Sequence, residues 1–108
     1  MGDTAVRAQV HTEDERSVIR LYGDVTTESE DALHSAYEEA AADRPRTIVF
    51  DFTNVGYINS GGIAVLISLV MEALESGHQI VAAGLSDHYT KVFEMVGLSQ
   101  YMKVQSSA

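Results

Sequence analysis

Apolar and polar positions alternate strictly at the start of the chain. Val6, Ala8 and Val10 interleave with Arg7, Gln9 and His11, the period of a half-buried strand. The segment from His11 to Arg16 is polar and reads as a turn. Val18, Ile19, Leu21 and Tyr22 then predict a second strand, closed by Gly23-Asp24, and the two are expected to pair as an antiparallel hairpin at one sheet edge. After that the period changes. Leu33, Ala36, Tyr37 and Ala40 recur at helical spacing and form one apolar stripe. Thr27-Glu28-Ser29-Glu30 has the form of a capping box, with Thr27 as cap and Glu30 reaching back. Acidic residues fill the first turn, as the helix dipole favours. Pro45 stops the helix and is expected to push Arg44 toward extended backbone.

The middle of the chain is more apolar. Ile48-Val49-Phe50 shows no alternation, which predicts a strand covered on both faces within a mainly parallel sheet. Asp51 reads as the end of that strand, followed by a short polar loop. From Ile63 to Leu74 only Ser68 and Glu72 are polar, so this helix should be largely wrapped by protein, with Gly77 as its left-handed stop. Ile80-Val81-Ala82-Ala83 predicts another buried strand. Ser86 is expected to cap a third helix, with Val92, Phe93 and Val96 inward, Met95 and Leu98 at core spacing, and Gly97 closing it. Tyr101 to Val104 fits a last edge strand, and residues 105–108 read as a frayed tail. The order is β-β-α-β-α-β-α with an optional final β. That is an α/β fold: a mixed four- to five-stranded sheet with about three helices packed on it, in a single domain over residues 1–108.

Composition narrows the functional classes. The 108 residues are 45% apolar and 21% charged, enough for one ordinary core. There are no cysteines, which excludes disulfide frameworks, thiolate metal sites and cysteine nucleophiles. Met1 to Gln9 lacks the apolar run of a secretory leader, and Ile63 to Met71 is too short to span a bilayer. A cytoplasmic location without a membrane partner is expected. The net charge of −9, with only 7 scattered Lys and Arg, argues against nucleic-acid binding. It favours either a basic partner surface or plain solubility. His11, His34, His78 and His88 have no i, i+4 spacing, so they are read as surface residues and no metal or cofactor is expected.

The candidate chemistry sits at Ser60. It opens the apolar helix, where its oxygen can cap backbone N–H groups, although Asn59 is an equally good cap. Gly61 and Gly62 each cost roughly 1 kcal/mol of helix propensity against alanine, which suggests that something approaches the backbone closely there. A phosphate would suit free N–H groups at the positive end of a helix. An esterase elbow fits poorly, because Ile58 occupies its first glycine position, and Asp87 and His88 are adjacent residues of one helix that point apart. The chain is therefore read as a non-enzyme. Asp51 either binds a ligand or satisfies loop N–H groups. Tyr57 and Ile58 flank the loop, either as core or as contact surface.

Three segments carry a family resemblance. Asp51-Phe52-Thr53-Asn54-Val55-Gly56-Tyr57-Ile58-Asn59-Ser60-Gly61-Gly62-Ile63-Ala64-Val65-Leu66 resembles the signature of the STAS domain of bacterial anti-sigma-factor antagonists: Asp-x-Ser/Thr, an apolar residue, then Asp-Ser-Ser/Thr-Gly-Leu. Val92 to Leu98 resembles the family's third-helix ending, and Gly23-Asp24-Val25 the end of its second strand, so the likeness spans about residues 18–104. The resemblance implies partner switching. The unmodified antagonist binds an anti-sigma factor that is a serine kinase and so frees a sigma factor for transcription. Phosphorylation of the motif serine, matched here by Ser60, ends binding, and a serine phosphatase reverses it. Asp51, Tyr57, Ile58, Asn59, Ser60, Gly61 and Gly62 would form the partner-binding surface of a monomer or weak dimer. Asn59 stands where the family usually has Asp, and Gly61 where a second hydroxyl is usual. These departures motivate the alternative, a STAS scaffold or assembly module with no phosphate cycle.

Overall fold

A computed structural model describes residues 6–106. The initial alternation becomes a hairpin in which β1 (Arg7–Glu13) and β2 (Arg16–Val25) pair antiparallel, from Arg7 opposite Tyr22 to Glu13 opposite Arg16. The turn expected over His11 to Arg16 contracts to Asp14 and Glu15, with Asp14 at φ 57. His11, Glu13 and Arg16 all lie on exposed positions of the ladder, and polar side chains there leave backbone pairing intact.

Helix α1 (Glu30–Ala41) buries Leu33, Ala36, Tyr37 and Ala40, as its periodicity predicts. Its entry differs from expectation. Thr26, not Thr27, is the cap of a short 3₁₀ turn, Thr27–Ser29, that precedes the helix. Thr26 Oγ1 accepts from Glu28 N at 3.2 Å, and Ser29 Oγ, not Glu30, accepts from Thr26 N at 2.9 Å. The extra tight turn moves the capping box back by one residue. Arg44 is not extended either: it has φ 51 and donates from its backbone N–H to Ala41 O at 2.9 Å. It supplies the left-handed stop that glycine usually provides, and reverses the chain into the next strand.

The remaining elements are β3 (Thr47–Ile58), α2 (Ser60–Glu75), β4 (Gln79–Ala83), α3 (Asp87–Met95) and β5 (Lys103–Gln105). The five strands lie side by side in chain order, and β2 through β5 are mutually parallel. This is the expected mixed sheet with its optional last strand present. Gln105 belongs to that strand rather than to a frayed tail, since its carbonyl accepts from Gly84 N at 3.2 Å. Residues 107 and 108 lie outside the described residues.

One cluster unites Ile19, Leu21, Ile48, Phe50, Phe52 and Ile80 with the inward residues of all three helices. Among the described residues the opposite sheet face contributes only Val49, Val81 and Ala83, packed with Val18. Ile48, Val49 and Phe50 are thus buried on both sides, but the helices share one of them. Phe50, Phe52 and Phe93 form an aromatic row that fixes α3, with centroid spacings of 6.5 and 5.6 Å. Two expectations fail here. Met95 and Val96 are 78% and 44% exposed, because α3 ends at Met95 and buries only Phe93 fully. His78 is buried, with Nδ1 at 2.6 Å from Pro45 O and its ring edge-on to Tyr37.

Candidate functional site

Strand β3 runs through the segment that reads as a polar loop in the sequence. It remains a strand to Ile58 because its pairing with β2 shifts register twice, once beyond Asp51 and again beyond Val55. Such bulges insert unpaired residues and re-aim side chains. Asp51 holds the first of them. Its Oδ1 accepts from Thr53 N at 3.0 Å and from Thr53 Oγ1 at 2.6 Å, while Arg20 Nε lies 3.6 Å from Oδ2. The carboxylate is buried. Of its two readings, satisfying backbone and hydroxyl donors is the one the geometry fits.

At the top of β3 the cap question resolves in favour of Asn59. Its Oδ1 accepts from Gly62 N at 2.8 Å, with the backbone at φ −96 and ψ 180. Its own N–H donates to Val25 O at 3.1 Å, which ties the helix entry to the end of β2. Ser60 is therefore the first residue of α2, but its hydroxyl has no capping duty. It is exposed and makes no hydrogen bond among the described residues. A free hydroxyl thus stands at the positive end of a 16-residue helix.

The two glycines have an internal explanation. A Cβ on Gly61 would overlap Thr27 Oγ1 and sit 3.1 Å from Thr27 Cβ. On Gly62 it would overlap Val25 O and sit 2.6 Å from the Val25 carbonyl carbon. What approaches the backbone here is the chain's own β2 exit. The glycines let α2 seat against it.

A further tie comes from α3. The backbone N–H of Ile58 donates to Tyr89 Oη at 2.9 Å, across 31 residues of sequence. Ser86 caps α3 as predicted, accepting from Tyr89 N at 3.2 Å, and so places that ring. Tyr89→Phe should leave the Ile58 N–H unpaired and cost about 1–3 kcal/mol in urea-denaturation stability.

The candidate residues therefore divide by exposure. Tyr57 is 52% exposed and Ser60 is exposed, whereas Asn59 and Gly61 are half-buried. Asp51, Ile58 and Gly62 are buried and act from beneath. Ser60 shares one exposed line along α2 with Ala64 and Ser68. Sequence reasoning missed Val25, Thr27 and Tyr89 as supports of the site. Nothing local marks them, because each acts on residues about thirty or more positions away. Among the described residues no three His, Cys, Asp or Glu side chains converge as a metal set, and no helix is long and apolar enough to cross a membrane.

The family model described as Mlab, STAS domain matches residues 8–105. The chain belongs to the STAS-domain family. Its fold is shared with an anti-sigma factor antagonist from Mycobacterium paratuberculosis, at 23% identity and a TM-score of 0.74, covering 96% of this chain and 88% of that one. The phosphorylated form of the Bacillus cell fate determinant SpoIIAA aligns at 21% identity and a TM-score of 0.68, over 90% of this chain and 89% of that one. A sulfate transporter family protein from Wolinella succinogenes aligns at 14% identity and a TM-score of 0.77, over 90% and 81%. At these identities the structural likeness speaks for the fold. In this STAS domain the Asp-x-Thr of the motif is the bulge clamp, and the serine is the exposed residue after the cap.

Proposed function

We propose that this STAS domain is a binding module gated by phosphorylation of Ser60, acting as an anti-sigma-factor antagonist. The unmodified form would bind an anti-sigma factor with serine kinase activity and free a sigma factor. Phosphate on Ser60 would end that binding, and a serine phosphatase would restore it. The observation that carries the reading is the idle, exposed Ser60 hydroxyl beside an Asn59 that already serves as cap. The phosphorylated SpoIIAA neighbour and the mycobacterial antagonist support it by likeness of fold. The exposed ring of Tyr57, in the same motif, offers an apolar contact surface.

The physics sets how such a gate must work. A phosphoserine adds nearly two negative charges, and a helix N-terminus stabilises them. The switch then lies in the partner interface, where an unpaired charge is costly to bury. Incubation with the cognate kinase and ATP, followed by peptide mass spectrometry, is expected to place phosphate on Ser60. A Ser60 left unmodified by a kinase that binds the protein would overturn the reading.

A second reading has its own support. The matching family model carries the Mlab description, and one neighbour belongs to a sulfate transporter family protein. The sulfate transporter neighbour favours the alternative, a STAS scaffold or assembly module with no phosphate cycle. Stable co-purification with an assembly, unchanged by Ser60→Asp, would decide for it.

A further inference from the structure

At the opposite end of the sheet from Ser60, the turns entering β3 and β4 enclose an open cavity of about 480 Å³. Its wall includes Tyr37, Arg44, Arg46, Ser76 and His78, and no Asp or Glu among the described residues. In a chain of net charge −9 that is a departure from the rest of the surface. Neither arginine has an ion-pair partner among the described residues.

The polar groups at its base are built in rather than draped over the surface. His78 is only 8% exposed. Its Nδ1 faces the Pro45 carbonyl, which can only accept, so Nδ1 carries the proton. Nε2 has no partner among the described residues, yet no buried side-chain nitrogen there is left unsatisfied, so Nε2 opens onto accessible space. Tyr37 is 3% exposed and lines the same wall as Ser76. Burial pushes its phenol above the usual 10.0; the nearby Ser76 hydroxyl opposes this and the Glu72 carboxylate adds to it, so it stays a neutral hydroxyl. Arg44 holds its place at φ 51, a backbone state that costs a non-glycine residue free energy.

From these groups we infer that the cavity is a binding site for a small phosphate-bearing molecule, with Arg44 and Arg46 as charge partners and the Ser76 hydroxyl as a polar contact. Two guanidinium forks match the charge of a phosphate dianion. Together with the Ser76 hydroxyl they offer more donors than the two oxygens of a carboxylate can use. The volume is that of a site for a small metabolite-sized ligand. The inference is independent of the Ser60 reading, because the two sites lie at opposite ends of the sheet.

The test is titration of the full chain with inorganic phosphate at constant ionic strength, followed by backbone amide NMR, with malonate as the dicarboxylate comparison. Saturable shifts are expected at residues 41–46 and 76–79. Arg46→Gln and Arg44→Gly should each weaken binding on the order of tenfold. Arg44→Gly relieves the left-handed backbone, so it should not lower the melting temperature, and its loss of binding cannot be put down to unfolding. An absence of saturable shifts at tens of millimolar phosphate would overturn the inference. So would unchanged affinity in both variants, or shifts confined to Ser60–Gly62. Malonate binding as tightly as phosphate would overturn the phosphate assignment.

Discussion

Gly62→Ala should destabilise the domain by about 3 kcal/mol, lowering its melting temperature by roughly 10 °C or more. The added methyl group would overlap the Val25 carbonyl oxygen and stand 2.6 Å from its carbon. That carbonyl cannot simply turn aside, because it accepts the Asn59 N–H at 3.1 Å. Either the helix entry lifts off β2 or the hydrogen bond breaks. The gain in helix propensity, about 1 kcal/mol, offsets only part of this. Gly61→Ala offers an internal control. There the main obstacle is the Thr27 hydroxyl, a side-chain group, so Thr27→Ala should partly rescue Gly61→Ala. No side-chain change at Val25 should rescue Gly62→Ala. Chemical denaturation of the four variants measures both effects, and a Gly62→Ala protein as stable as the parent would refute the packing account.

On the proposed function, Ser60→Asp should weaken binding to the anti-sigma-factor kinase by about 100-fold or more while leaving the fold intact. An unpaired negative charge buried in an interface costs several kcal/mol, and each 1.4 kcal/mol is a factor of ten in affinity. In the free protein the same charge sits at the N-terminus of α2, where it should raise stability by about 0.3–1 kcal/mol. Ser60→Ala should keep full affinity, because among the described residues the hydroxyl makes no hydrogen bond whose loss would disturb the loop. Calorimetric titration of the three forms, with a denaturation curve for each, separates the possibilities. Equal affinity for all three would remove the gate. A marked loss of stability in Ser60→Asp would show that charge acts by melting the helix entry instead.

The reading of the chain succeeded where the signal is local. The apolar stripe of α1, the wrapped helix α2 and the caps at Ser86 and Gly77 each rest on residues within a turn or two of one another. It failed where distant segments compete. Segment 52–58 looks like a loop because its side chains are mixed, yet β2 continues beside it and β3 absorbs the irregularity as bulges. Met95 and Val96 have core character, but α3 stops before the sheet can cover them. His78 is polar, but Pro45 offers it a buried carbonyl.

The same boundary runs through the site. Sequence alone marked Ser60, the paired glycines, the Asp-x-Thr motif and the family, because backbone freedom, capping chemistry and helix polarity are short-range properties. It left open whether Asn59 or Ser60 caps α2, and what the glycines accommodate. Only the tertiary structure answered those questions, by bringing Val25, Thr27 and Tyr89 against the helix entry. A hydroxyl is free or engaged according to which partners lie within about 3 Å, and here those partners come from segments far apart in the chain.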